Sequence, residues 1–232
     1  MVYMFNEPIL AINFKAYSSS FGVKAVQIAK SAWKTSRSYG LTIILIPPLT
    51  EIRFIASQVE LPVFAQHVDP VDPGAWTGHV VAEMVKEAGA SGILINHSEK
   101  RLRIDEVGFI ISKAKSLNLT SLACADTPET SMAISTLNPD MLAIEPPELI
   151  GTGVAVSKAK PEVITNTIEK VRRVNSRVVL LTGAGISTAE DAAAAIKLGT
   201  SGVLVASAVM KASNPGSVID EMAKAMVEAY SK

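Results

Sequence analysis

Two stretches of the chain, Ala88-Gly-Ala-Ser-Gly-Ile-Leu-Ile95 and Leu198-Gly-Thr-Ser-Gly-Val-Leu-Val205, repeat one pattern 110 residues apart. In each, a Gly ends a helical segment and a second Gly opens a short apolar run. Working outward, the same alternation fills the chain. Apolar runs lie at Ile9–Ile12, Thr42–Ile46, Val63–Gln66, Gly92–Ile95, Ser121–Cys124, Met141–Ile144, Val178–Leu181 and Gly202–Val205, with longer helical patterns between them. Each run is almost continuously apolar, as a strand covered on both faces must be. Eight units in 232 residues give 29 residues each, which suits one strand, one helix and two short loops. An open doubly wound sheet usually stops at five or six strands, so eight units with nothing left over predict a closed (β/α)8 barrel. No linker, low-complexity stretch or composition shift divides the chain, and a single α/β domain over 1–232 is expected.

Helix-start signals fit this division. Thr50 precedes a helical pattern, Asp105 and Glu106 enrich a first turn, and Pro128 and Pro161 suit a first helical position. Ser187-Thr188-Ala189-Glu190 offers two candidate caps, with Glu190 at capping-box spacing from Ser187.

Composition removes several classes of function. Twenty-two Lys plus Arg match 22 Asp plus Glu, which argues against a nucleic-acid partner, since phosphates need unmatched cations. The 48% hydrophobic content is too high for a disordered chain. The single cysteine cannot form an internal disulfide, Met1–Pro8 lacks the basic and apolar regions of a secretory signal, and the longest apolar run, Ile43–Leu49, holds two prolines. A bilayer needs about 20 apolar residues, so no membrane partner is expected and the chain reads as cytoplasmic.

Barrels of this kind place their chemistry on the loops after the strands. There the sequence carries Asn13 and Lys15 after strand one, Gln66 and His67 after strand three, and His97, Ser98 and Glu99 after strand four. Cys124 closes strand five, Glu145 follows strand six, and Ala206 and Ser207 follow strand eight. Singly these are ordinary residues: a solvated Lys, a structural His, a capping Glu. Together, a Lys, a His and a Glu converging from three strands on one mouth form a candidate catalytic set. The glycines at 151–153 and 183–185 read two ways, as tight-turn chemistry or as backbone N–H groups that cradle phosphate. His67, His79 and His97 show no metal-ligand spacing, so no metal is expected, and Cys124 reads as a small buried residue behind the site.

These residues sit in motifs that resemble the triosephosphate isomerase family, most of all its short archaeal type. The matching motifs are Asn13-Phe-Lys15, Ala65-Gln66, Gly74-Ala-Trp-Thr-Gly78, Asn96-His-Ser-Glu-Lys-Arg101, Ala123-Cys124, Ala143-Ile-Glu-Pro146, Ile150-Gly-Thr-Gly153 and Gly183-Ala-Gly-Ile-Ser187. They run from end to end in the family's order. The chain departs from the bacterial and eukaryotic pattern in Pro147-Glu148-Leu149 of the lid, in Thr182-Gly-Ala-Gly185 and in Ala206-Ser207.

The resemblance implies a TIM barrel that interconverts dihydroxyacetone phosphate and glyceraldehyde 3-phosphate without a cofactor. It implies Glu145 as the base and His97 as a neutral imidazole donating to an enediolate, a much-used example of tuned acid–base chemistry. Lys15 would supply positive charge and Asn13 would orient the substrate. Ile150, Gly151, Gly185, Ala206 and Ser207 would bind it, and Glu99 and Cys124 would support the site from behind. The loop from Pro146 to Gly153 would close over the substrate. The family also implies a homo-oligomer in which Thr77 approaches Asn13 and Lys15 of the partner subunit. Trp76, on a Gly-flanked loop, points to a dimer contact, and the apolar helical stretch Val107–Ile111 to a second contact that would give the tetramer the archaeal resemblance implies.

Overall fold

The computed structural model describes residues 5–146 and 160–231. Eight strands are present: β1 (Ile9–Asn13), β2 (Thr42–Ile46), β3 (Phe64–Ala65), β4 (Gly92–Ile95), β5 (Thr120–Ala125), β6 (Met141–Ile144), β7 (Val179–Thr182) and β8 (Gly202–Val205). All pair in parallel, in the order β2-β1-β8-β7-β6-β5-β4-β3. A parallel bridge between Leu45 and Val63, with the Leu45 N–H donating to the Pro62 carbonyl at 2.9 Å, brings β2 back to β3. The expected (β/α)8 barrel is therefore the observed one.

Helices alternate with the strands: α1 (Gly22–Tyr39), α2 (Ile52–Ala56), α3 (Ala82–Glu87), α4 (Ile104–Ser116), α5 (Pro128–Ser135), α6 (Pro161–Val174), α7 (Ala189–Lys197), α8 (Ser207–Met210) and α9 (Pro215–Tyr230). No helix among the described residues is long and apolar enough to cross a membrane.

The repeated stretch is repeated in space as well. Gly89 and Gly199 take left-handed φ values of 100° and 99°. The Ser91 and Ser201 N–H groups donate to Val63 and Leu180 carbonyls, both at 2.8 Å, and their own carbonyls accept from Thr120 and Ile9, both at 2.9 Å. The strand-opening glycines leave no room for a side chain. A Cβ on Gly92 would stand 2.5 Å from the Phe64 ring, and one on Gly202 only 2.1 Å from the Ile9 carbonyl oxygen. Close approach of the neighbouring strand is what demands Gly there.

Alternate residues of each strand serve two cores. Ile9 and Ala11 face the barrel lumen with Ile44, Phe64, Leu122, Met141 and Leu181. Leu10, Ile12, Ile43, Leu142 and Leu180 face the helices. Burying such side chains contributes about 1.5–3 kcal/mol each, far more than surface ion pairs supply.

Four strands have the expected limits and the others differ by a residue or two. The strand that shrinks is β3, expected over Val63–Gln66 but only two residues long, because Val63 makes a lone bridge and the Gln66 side chain turns to hydrogen bonding. Pro128 and Pro161 open α5 and α6 as expected. The cap of α7 is Thr188: its Oγ1 accepts from the Asp191 N–H at 3.2 Å, while Asp191 Oδ2 accepts from Ser187 and Thr188 at 3.1 Å. The Ser187–Glu190 spacing is thus displaced by one residue. His79 does not start a helix; it lies in the loop before α3, its ring centroid 5.4 Å from that of Trp76. Helix α4 is amphipathic, with Val107, Ile110 and Ile111 buried and Ile104 and Phe109 exposed. The neighbour facing its Gly108 is Leu137 of the same chain, at ordinary contact distance.

Candidate active site

The inside–outside alternation of the strands continues past their ends and delivers the functional side chains. Met141 and Ala143 face the lumen, so the next residue in step, Glu145, enters its top. The Glu145 N–H extends the ladder by donating to the Ala125 carbonyl at 2.8 Å, and the residue is 5% exposed.

His97 depends on a local break in that rhythm. Asn96 adopts a left-handed φ of 60°, tolerated because its side chain ties the turn. Its Oδ1 accepts from the Leu102 N–H and its Nδ2 donates to the Cys124 carbonyl, both at 3.0 Å. Lys15 is also left-handed, with φ 48°. Its N–H donates to Asn13 Oδ1 at 2.9 Å, and Gln66 Nε2 reaches the carbonyls of Lys15 and Ile46, each at 3.1 Å, and Asn13 Oδ1 at 3.3 Å.

Asn13, Lys15, His97, Glu145, Gly185, Ala206 and Ser207 line one cavity at the C-terminal mouth. Lys15 Nζ pairs with Glu99 Oε1 at 2.9 Å. The Glu99 N–H donates to His97 Nδ1 at 3.2 Å, so the proton of a neutral imidazole sits on Nε2. That nitrogen lies 3.6 Å from Glu145 Oε1, too far for a hydrogen bond. Glu145 Oε2 is buried with no hydrogen-bond partner among the described residues. A carboxylate oxygen left bare in the interior is costly, and none of the described groups packed around it offsets that cost here.

Cys124 lies against this carboxylate. Burial first, then the charge of Glu145 and a hydrogen bond to it, push the thiol well above its ordinary pKa, so it stays protonated as a donor. Glu99 thus contacts Lys15, and Cys124 lies against Glu145.

Tyr17, Ala184, Ile186 and Ser187 also line the cavity and were not singled out as site residues by sequence reasoning. Tyr17, two residues beyond Lys15, could have been found from its position on the same loop; its ring lies under Lys211 Nζ at 5.4 Å. Ile150, Gly151 and the expected lid beyond Pro146 fall outside the described residues. Among the described residues no cluster of three or more His, Cys, Asp or Glu could hold a metal.

Comparison with known proteins identifies the family. The family model for triosephosphate isomerase matches residues 8–225. A triosephosphate isomerase of Saccharolobus solfataricus is 51% identical over 224 residues, covering 97% of this chain and 98% of the relative. That of Caldivirga maquilingensis is 50% identical over 95% of this chain and 98% of the relative, and that of Methanothermus fervidus 46% over 94% and 98%. On its fold, its motifs and these relatives, the chain belongs to the triosephosphate isomerase family.

Proposed function

We propose that this enzyme interconverts dihydroxyacetone phosphate and D-glyceraldehyde 3-phosphate in the cytoplasm, as a step of glycolysis and gluconeogenesis. One observation supports the chemistry above the rest: Glu145, buried with a bare oxygen, faces the proton-bearing side of His97 across a cavity that also holds Lys15. Glu145 takes a proton from the hydroxyl-bearing carbon beside the carbonyl, and the electron pair moves onto the carbonyl oxygen. His97 Nε2–H donates to the enediolate so formed and gives that oxygen its proton, the ring nitrogen regaining one from the neighbouring hydroxyl. Glu145 then returns its proton to the neighbouring carbon as the other oxygen becomes the carbonyl. Lys15 meets the substrate's negative charge in competition with Glu99, and Asn13 orients its oxygens. Backbone N–H groups at Gly185, Ala206 and Ser207 hold the phosphate, joined by Ile150 and Gly151 from the loop that closes over it. Exclusion of water keeps the enediolate from losing its phosphate.

The active form is an oligomer. Trp76 is 49% exposed on a loop whose residues 72–79 all face solvent, and this loop pairs two subunits, bringing Thr77 to Asn13 and Lys15 of the partner subunit. Exposed Ile104 and Phe109 on α4 join two such dimers into a tetramer. A coupled isomerisation assay tests the reaction, and absence of turnover on either triose phosphate refutes it. Sedimentation equilibrium at micromolar concentration tests assembly: a 24.6 kDa species refutes both contacts, and a stable dimer refutes only that through α4.

A further inference from the structure

Gly183 is accounted for neither by turn geometry nor by phosphate binding. Its φ is not among the positive values, unlike that of Gly185 at 73°, so backbone conformation does not call for glycine there. Its N–H donates to the Ile144 carbonyl at 2.9 Å, one step beyond the Ile144–Thr182 register pair, which places it directly beside Glu145. Both continue lumen-facing positions, Leu181 on β7 and Ala143 on β6. The Glu145 side chain leans across this neighbour: a Cβ on Gly183 would stand 2.6 Å from Glu145 Cγ, 2.9 Å from Oε1 and 3.1 Å from Cδ. Cγ is the middle of that side chain, not its tip, so it cannot yield without carrying the carboxylate along.

We infer that Gly183 is the positioning residue for Glu145, its missing side chain forming the wall of the slot that aims the carboxylate at the substrate. Cys124 and His97 bound the same slot on other sides. Any larger residue at 183 displaces the carboxylate from its place 3.6 Å from His97 Nε2. The inference rests on Glu145 being the base.

The test uses three variants of the full chain: Gly183→Ala, Glu145→Ala and the two combined. A misplacement of about 1 Å costs on the order of 10²-fold in rate, so kcat of Gly183→Ala should fall by about that factor. KM and inhibition by inorganic phosphate should stay unchanged, because the phosphate-holding groups do not move. In the Glu145→Ala background the same substitution should leave the residual rate untouched, since Cγ, Cδ and Oε1, the atoms it would meet, are gone. If Gly183→Ala alone cannot fold, the combined variant must fold. Normal kcat in Gly183→Ala, equal losses in both backgrounds, or a combined variant that does not fold would each overturn the inference. Full activity in Glu145→Ala would instead overturn the assignment of the base.

Discussion

The loop after β3 and the junction of β6 with β7 both lie at the mouth of the barrel, and they treat charge in opposite ways. In the loop, Asp69 Oδ2 accepts from the Val80 N–H at 2.7 Å, the Asp69 N–H donates to the Val80 carbonyl at 2.8 Å, and Asp69 Oδ1 lies 3.3 Å from His67 Nε2. Farther out, Lys113 of α4 binds Asp72 and, at 2.8 Å, Glu83. These ties fix a fully exposed segment. At the junction, Glu145 is almost completely buried, yet one of its oxygens has no partner among the described residues. A surface that recognises another molecule gains by having its shape set beforehand, because ordering costs then fall outside the binding step. A group that takes a proton must keep a lone pair free until the substrate arrives.

Variants on the two sides should therefore fail differently. The largest effect belongs to Glu145→Gln, which keeps the shape and removes the base: kcat should fall by about 10²–10⁴-fold with substrate affinity and assembly retained. Steady-state kinetics beside sedimentation would show it, and near-normal kcat would contradict the assignment.

Next comes Lys15→Met, which removes the cation paired to Glu99 and should sharply weaken binding of a phosphate-bearing inhibitor. Unchanged affinity by calorimetry would put Lys15 outside the substrate's reach.

The smallest effect is expected from Asp69→Asn, which loosens the loop and should weaken self-association without altering the Glu145 slot. It should also change the response to acid. Burial would raise the Asp69 carboxyl, but the Val80 N–H and His67 outweigh it and hold its pKa below the ordinary value. Its contribution is thus complete above about pH 4, the usual carboxyl value, and fades as pH falls through the lower folded value. His67 is pushed down chiefly by burial, against the pull of Asp69. Below about pH 6.5 the unfolded chain takes up a proton that the folded one resists, so stability again falls with pH. Thermal melts from neutral to acid pH should therefore show a slope that Asp69→Asn reduces at its most acid end; identical profiles would mean that the loop's ties carry no stability.

The fold was legible because a continuous apolar run and a closing glycine are local signals, as in Ala88–Ile95 and Leu198–Val205. Lys15, His97 and Glu145 could be assigned to one mouth because each lies within three residues of the end of such a run. What escaped was lateral. Gln66 acts on Lys15 from 51 residues away, and Gly183 acts on Glu145 across a strand pair, so no spacing within one strand reveals either. The α7 cap slipped by one residue because Ser187 and Thr188 each have an acidic residue three positions on, and only packing chooses the buried Asp191. The two-residue β3 escaped because apolar content does not count ladder bonds.

That short strand has a consequence of its own. Four or five register pairs join β1 to each of its neighbours, whereas β2 and β3 share a single bridge, with the Gln66 amide reaching across to the Ile46 carbonyl. This is the barrel's softest line, where transient opening should begin and backbone amides should exchange earliest with solvent. The same amide holds the Lys15 carbonyl, so opening there also releases a tie on the backbone of Lys15. Whatever steadies that line steadies the backbone from which Lys15 projects.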